Sequence, residues 1–396
     1  MKTNPTPPIP VQGFLWMGRN IGIKDQSLDF GVLAAAHPCS AAAVFTRSNL
    51  PGAPVIVGRE HAAKGTLQAI VVNSKCANVG LGEQGLQDAR KMCQWTAEAL
   101  KIQPELVLPA STGVIGLPLP MDKIREGTLS IATNLDNSAE AVESFARAIM
   151  TTDTHPKWRN AGSGHASLLG VAKGSGMIEP NMATMLSYLV TDAEIDHSKL
   201  QAMLKRAVDA SFNRISIDTD TSTSDMVVLM ANGMAGGVNE DEFEKNLTGL
   251  CQDLAKDLVR DGEGVTKLIE LKISGADSTQ MAQKIGKSII NSPLIKTAVH
   301  GADPNWGRFV MAVGKVFEHP VRLEELEIRF GLGEKMQAVN SQLLKEETVK
   351  LESISELLQK DTIPIEVVVG HGDHCETFWG CDLSKSYIDE NAFYTT

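Results

Sequence analysis

Residues 173–186 read Lys-Gly-Ser-Gly-Met-Ile-Glu-Pro-Asn-Met-Ala-Thr-Met-Leu, and this stretch carries most of the information about fold and chemistry. Two glycines free its backbone, Pro180 stiffens it, and the apolar run from Met185 to Val190 follows. Thr184 stands where the polar turn meets that run. A threonine there is ordinarily a helix cap or a buried, hydrogen-bonded hydroxyl. It becomes a nucleophile only beside a base, and one such base is its own α-amine, freed by cleavage of the preceding bond.

A second polar turn, Ser111-Thr112-Gly113-Val114-Ile115-Gly116, follows a predicted strand. A hydroxyl at Thr112 beside the amide of Gly113 could direct two donors at one oxygen, which is the arrangement that an oxyanion hole requires. An ordinary strand-to-loop turn with exposed hydroxyls explains the same residues. The segment alone leaves both interpretations open.

Composition limits the kind of protein. The chain has 396 residues, 43% of them hydrophobic and 21% charged, with a formal net charge of -11. These values are typical of a globular chain of two or three domains, and the acidity disfavours nucleic acid or a membrane surface as the main partner. No apolar run approaches the roughly 18 residues that span a bilayer. The proline-rich residues 1–11 are predicted to be a disordered arm, and six scattered cysteines suit a reducing cytoplasm.

Apolar runs alternate with amphipathic segments, which predicts an α/β or α+β fold. Apolar residues recur at helical spacing over 86–100, 200–208 and 243–258. Short Val, Ile, Leu and Met runs predict strands at Val55–Val57, Ala69–Asn73, Leu106–Leu108, Met226–Met230, Arg308–Val313 and Ile365–Val369.

Three short patterns suggest other functions and are better explained as ordinary loops. Residues 80–85 match G-x-G-x-x-G, but a loop separates them from the preceding strand and no carboxylate follows the next strand. The 218–222 run lacks the glycine and glutamate of a calcium loop. A third group has no standard zinc spacing: His371, His374, Cys375 and Cys381. No G-x-S-x-G elbow occurs, which disfavours an α/β-hydrolase.

Several long motifs stand in a characteristic order along the chain. They are residues 111–116 (STGVIG), 173–186 (KGSGMIEPNMATML), 218–225 (DTDTSTSD), 261–267 (DGEGVTK), 291–308 (NSPLIKTAVHGADPNWGR) and 391–396 (NAFYTT). Together they resemble the ornithine acetyltransferase, or glutamate N-acetyltransferase, family of arginine biosynthesis. The resemblance covers essentially the whole chain after the proline-rich arm.

The resemblance implies a self-cleaving acyltransferase of the N-terminal-nucleophile type. The cut falls between Ala183 and Thr184 and gives an α chain of residues 1–183 and a β chain from 184, assembled as an α2β2 heterotetramer. Thr184 then takes the acetyl group from N2-acetylornithine and passes it to glutamate. Its free α-amine is the expected base, since an α-amine pKa lies near ~8. Thr112 and Gly113 match the family's oxyanion-hole pair.

The resemblance also implies where substrate binds and how the chain is divided. It implies a layered α-β-β-α fold in a main domain, 12–275, with a smaller C-terminal α/β domain, 276–396. No cofactor or metal is needed, because the acetyl donor is an amide and the nucleophile is internal. A lysine can pair with a substrate carboxylate, and a glutamate with the δ-ammonium of ornithine. The matching substrate-binding residues are Thr151, Lys173, Thr184, Glu263, Asn391 and Thr396.

Three alternatives remain open at this level. A bifunctional enzyme would also use acetyl-CoA to acetylate glutamate. An amidase or aminopeptidase would pass the acyl group to water instead of an amine. A binding protein would keep the pocket but remain uncut.

Overall fold

The computed structural model describes residues 6–179 and 185–393. They form two compact units: the first holds the described residues up to 213 together with 220–261, and the second holds 214–219 and 262–393. The domain limits 12–275 and 276–396 stay a prediction. Within the proline-rich arm, Val11 is buried, and the backbone of Ile9 exchanges two hydrogen bonds with the side chain of Asn160.

The strands are β1 (Phe14–Arg19), β2 (Phe30–Phe45), β3 (Thr66–Asn73), β4 (Val107–Ser111), β5 (Lys157–Ser163), β6 (Ala166–Lys173), β7 (Leu186–Glu194), β8 (Met226–Gly237), β9 (Leu268–Ala276), β10 (Glu327–Phe330), β11 (Gln337–Val339), β12 (Thr362–Val368) and β13 (His374–Cys381). The helices are α1 (Ala53–Ala62), α2 (Gly82–Leu100), α3 (Met121–Leu129), α4 (Ile131–Asn134), α5 (Ala139–Ala148), α6 (His197–Asp209), α7 (Glu240–Arg260), α8 (Thr279–Ile290), α9 (Pro293–His300), α10 (Trp306–Gly314), α11 (Ser341–Lys345), α12 (Leu351–Leu358) and α13 (Lys385–Phe393).

The strands of the first unit form one sheet in the order β4-β3-β2-β8-β7-β6-β5, with β1 paired to β2. Strand β2 joins two halves of this sheet, one with β1, β3 and β4 and the other with β5 to β8. Its first residues pair with β3, and its last residues, Ser40–Phe45, pair with β8. The neighbouring strands β3 and β4 are parallel, and so are β7 and β8. Loops that follow β3 and β4 therefore meet at one edge, as do the loops that precede β7 and β8.

The two halves of this sheet share a core, so the first unit is layered. Ile70 and Val72 of β3 pack in the same buried cluster as Tyr188 and Val190 of β7. The outer face of β3 and β4 packs on α1 and α2, and the outer face of β5 and β6 packs on α7. Helix, sheet half, sheet half and helix follow one another, which confirms the predicted layered α/β fold.

The second unit is a smaller α/β structure. Its strands follow the order β11-β10-β12-β9-β13, with β9 and β12 parallel. Its core contains Leu271 and Ile273 of β9, together with Ile285 and Ile289 of α8. The predicted smaller C-terminal α/β unit is thus present. None of the helices within the described ranges is long and apolar enough to cross a membrane.

The three segments in which apolar residues recur at helical spacing are confirmed as the helices α2, α6 and α7. Each of these helices buries one face. Two predicted strands are wrong. Val55–Val57 lies in α1, where Pro54 occupies the first turn, a position that suits a helix start. Arg308–Val313 lies in α10, whose buried residues Phe309, Ala312 and Val313 recur at helical spacing.

Candidate active site

The turn after β4 lies against the turn after β3. The Thr112 amide donates to the Asn73 carbonyl at 3.0 Å, and the Val114 amide donates to the Lys75 carbonyl at 2.9 Å. Gly113 has φ +125°, and a Cβ built there would lie 2.3 Å from the Lys75 carbonyl carbon. Glycine is therefore the residue that this close approach requires.

Two hydrogen-bond donors in this turn have no partner among the described residues: the side-chain hydroxyl of Thr112 and the backbone amide of Gly113. Thr112 is buried, with 6% of its surface exposed. Gly113 is partly exposed, so its amide is open to a bound group. Two donors on adjacent residues are what a site that binds one oxygen requires.

Lys173 ends β6 and meets the segment that follows α5. Its Nζ lies 3.4 Å from the Thr151 hydroxyl oxygen. The Thr151 amide donates to Asp153 Oδ2 at 3.1 Å, and the Gly174 amide donates to Asp153 Oδ1 at 2.7 Å. Asp153 therefore ties Thr151 to the end of β6, and so holds two predicted substrate-binding residues near each other.

A fully buried ion network fixes this arrangement. Lys157 Nζ lies 2.6 Å from both Asp153 Oδ1 and Asp261 Oδ2, and all three side chains have no exposed surface. Burial alone would raise the pKa of Asp153, but the charges of Lys157 and Lys173 lower it. Burial opposes the charge of Asp261 too, yet hydrogen bonds from His155 and Lys157 lower its pKa. Both carboxylates are therefore charged.

Sequence reasoning missed two further lysines that act on this region. Lys24 is half-buried and donates through Nζ to the Met150 carbonyl at 2.7 Å. Burial is the main reason that its pKa falls to about 8; the Asp29 carboxylate opposes this fall, and the charges of Lys173 and Lys75 add to it. The ammonium groups of Lys173 and Lys75 therefore each repel that of Lys24, and the Asp29 and Asp153 carboxylates offset part of this positive charge. Lys75 could have been found, because parallel strands bring the turn after β3 beside the turn after β4; Lys24 has no local signal.

In the second unit, two predicted substrate-binding residues come together. Asn391 of α13 donates through Nδ2 to Glu263 Oε2 at 2.9 Å and to the Tyr387 carbonyl at 3.0 Å. Gly264 has φ +67°, and a Cβ there would lie 2.3 Å from the Tyr387 nitrogen. The glycine thus lets the Glu263 segment approach α13 closely. The amide of Asn391 holds the carboxylate of Glu263 in one orientation.

Three predicted site residues, Ala183, Thr184 and Thr396, lie outside the described residues. The catalytic and binding roles of every site residue stay predictions. Within the described ranges, no group of three or more His, Cys, Asp or Glu side chains could hold a metal ion. The six cysteines are free thiols.

Comparisons with known proteins identify the family. The model of the ArgJ family matches residues 16–396. Arginine biosynthesis bifunctional protein ArgJ 2 of Clostridium acetobutylicum is 47% identical over 389 residues, which is 97% of this chain and 97% of that protein. Glutamate N-acetyltransferase Oat2 of Streptomyces clavuligerus is 42% identical over 393 residues, 99% of each protein. A solved structure, ornithine acetyltransferase of Mycobacterium tuberculosis complexed with ornithine, is 32% identical and covers 44% of this chain and 94% of its own, with a TM-score of 0.40. This chain therefore belongs to the ArgJ family and is an acyltransferase of arginine biosynthesis.

Proposed function

We propose that the protein transfers an acetyl group from N2-acetylornithine to glutamate through an acetyl-Thr184 intermediate. The Thr184 hydroxyl oxygen attacks the acetyl carbonyl while the α-amine of Thr184 takes its proton. The amide C–N bond then breaks, and ornithine leaves with a proton on its nitrogen. The amine of glutamate attacks the acetyl ester, which gives N-acetylglutamate and restores Thr184.

The α-amine of Thr184 exists only after the bond to Ala183 has been cut. Self-cleavage at Ala183–Thr184 is therefore part of the proposal, and it leaves an α chain and a β chain that assemble as an α2β2 heterotetramer. The free cysteines fit a reducing cytoplasm. The observation that carries the proposal is the pair of donors without partners, the Thr112 hydroxyl and the Gly113 amide, in a family of acyltransferases. They would stabilise the oxyanion that forms in each acyl-transfer step.

The charges within each unit fit parts of the two substrates. Each substrate carries a carboxylate, and the first unit offers the ammonium groups of Lys173 and Lys75, which interact with Lys24. The Glu263 carboxylate, held by Asn391, is suited to the δ-ammonium of ornithine. Glutamate has a carboxylate in place of that ammonium, so moderate affinity is expected for both substrates.

The direct test uses Thr184→Ala with Thr133→Ala as the matched control, since Thr133 is exposed on α4. Intact mass spectrometry should find two fragments that meet at Ala183–Thr184 in the wild type and in Thr133→Ala. Thr184→Ala should remain a single chain of 42.6 kDa and transfer no acetyl group. A cut or active Thr184→Ala protein would contradict the proposal.

A second measurement tests the oxyanion hole. Thr112→Ala should slow cleavage, transfer or both by roughly 100-fold to 1,000-fold, because one oxyanion donor is lost. The melting temperature should stay close to that of the wild type. Normal rates in this variant would remove Thr112 from the mechanism.

A second candidate function rests on the name of the Clostridium relative, which is called bifunctional. A bifunctional enzyme would also acetylate glutamate from acetyl-CoA. Assay of the purified protein with acetyl-CoA and glutamate, without acetylornithine, separates the two functions. Free acetate released as fast as transfer would instead indicate an amidase.

A further inference from the structure

The segment 218–225 has no part in the mechanism above. Its last residue, Asp225, lies beside Met185, which follows the predicted nucleophile in the chain. Asp225 immediately precedes β8, and Met185 immediately precedes β7. The two strands are parallel, with Leu186 opposite Met226, and the Met226 amide donates to the Met185 carbonyl at 3.1 Å. Asp225 and Met185 are therefore neighbours at the amino ends of adjacent strands.

The Asp225 carboxyl is buried, with 2% of the residue exposed. Its Oδ2 has no hydrogen-bond partner among the described residues. Hydrogen bonds from the Ser222 side chain and the Met185 amide, and the charge of Lys173, favour the ionised form. Burial outweighs them and raises the pKa of Asp225 well above its usual value. A buried carboxyl with an unpartnered oxygen is more stable as the neutral acid, which can also donate a hydrogen bond.

The Met185 amide belongs to the peptide bond that joins Thr184 to Met185. A group that hydrogen-bonds to this amide is within one residue of the α-amine that cleavage would create. An ionised carboxylate there would stabilise the ammonium form of that amine, which has no lone pair to accept the Thr184 proton. A neutral acid can hold the peptide without this cost to catalysis.

We propose that Asp225 is a positioning residue that holds the Met185 amide, and with it the start of β7, by hydrogen bonding. This role rests on the proposed function, since it concerns cleavage before Thr184 and transfer by Thr184. Hydrogen bonding is required in this role, and negative charge is not.

Two variants separate hydrogen bonding from charge. Asp225→Asn keeps the shape and the hydrogen-bonding capacity but has no charge. Asp225→Leu keeps the branched shape and removes both; an apolar group of similar shape in place of an under-bonded buried carboxyl is expected to fold. Asp192→Leu is the matched control, because Asp192 is also buried and lies near the other end of β7.

Cleavage is followed by intact mass over time, and kcat and KM are measured with N2-acetylornithine. We expect Asp225→Asn and Asp192→Leu to stay within about threefold of the wild type in cleavage rate and kcat. Asp225→Leu should be slower by about tenfold or more in both, as expected for one lost hydrogen bond, with an unchanged KM.

Three outcomes would overturn the role of Asp225. They are an Asp225→Asn protein as slow as Asp225→Leu, a fully active Asp225→Leu protein, and an Asp225→Leu protein with raised KM and normal kcat. If Asp225→Leu does not fold, Asp225→Asn decides alone: wild-type rates support the role, and a tenfold loss overturns it. Failure of the proposed function is seen separately, as an uncut wild type or an active Thr184→Ala protein.

Discussion

Asp261 and Asp225 are both buried in the first unit, but their surroundings favour opposite charge states. Asp261 lies 2.6 Å from the ammonium of Lys157, and its hydroxyl partner Thr154 and its imidazole partner His155 also favour the charged form. Asp225 has an oxygen without a partner, and burial raises its pKa. Burial alone therefore does not decide whether a carboxyl is charged; the donors that reach it decide.

The largest expected effect is on stability. It comes from removal of the Lys157 ammonium, which pairs with both Asp153 and Asp261. Lys157→Met leaves Asp153 and Asp261 buried without their ammonium, which should lower the free energy of unfolding by about 3–5 kcal/mol. The measurement is urea unfolding in the uncut Thr184→Ala background, so that a single chain unfolds. Lys199→Met is the control, because Lys199 makes an exposed ion pair with Glu240 at the same 2.6 Å. Equal losses in the two variants would show that the buried network contributes no special stability.

The next effect concerns pH, and the two carboxyls should differ in sign. The folded-state pKa of Asp261 is lowered, so its contribution to stability is present above the unfolded pKa of ~3.9 and is lost as pH falls. The folded-state pKa of Asp225 is raised, so the folded protein keeps a proton that the unfolded chain releases. Stability therefore falls as pH rises above ~4.

The unfolding free energies of Asp261→Asn and Asp225→Asn, measured at pH 4 and pH 7 in the uncut background, check this difference. Asp261→Asn should lose more stability at pH 7 than at pH 4. Asp225→Asn should gain stability relative to its parent as pH rises, by about 1.4 kcal/mol for each unit of pKa difference that the pH range covers. The same change in relative stability between pH 4 and pH 7 for both variants would mean that Asp261 and Asp225 have the same charge state.

These two regions also show what the sequence could predict. The helices α2, α6 and α7 were predictable because each has one apolar face, whereas Met226–Met230 of β8 was predictable because a strand buried on both faces is a continuous apolar run. The turn at Thr112 and Gly113 was found from local residue types. The Lys157 network was not, because Lys157 and Asp261 are 104 positions apart and only the fold brings them together.

Asp225 was missed for a different reason. Its motif, residues 218–225, was recognised in the sequence, but a row of Asp, Thr and Ser residues is equally typical of a solvated polar loop. The pairing of β7 with β8 places its last residue beside Met185, and parallel pairing between strands this far apart in the chain has no local signal.

The smallest effect is expected at the ion pair of Arg159 and Asp257. It is more exposed than the pair of Lys157 with Asp261 and less exposed than the pair of Lys199 with Glu240. Arg159 Nε and Nη2 each lie 2.7 Å from a carboxylate oxygen of Asp257, and the two side chains are 28% and 10% exposed. Arg159→Lys keeps the charge but loses the two-pronged geometry, so it should cost about 1 kcal/mol or less. Its transfer rate should equal that of the wild type. A loss as large as that of Lys157→Met would mean that two-pronged geometry can stabilise an ion pair as much as complete burial does. The contrast between the charge states of Asp261 and Asp225 would then depend on the number of donors that reach each carboxyl.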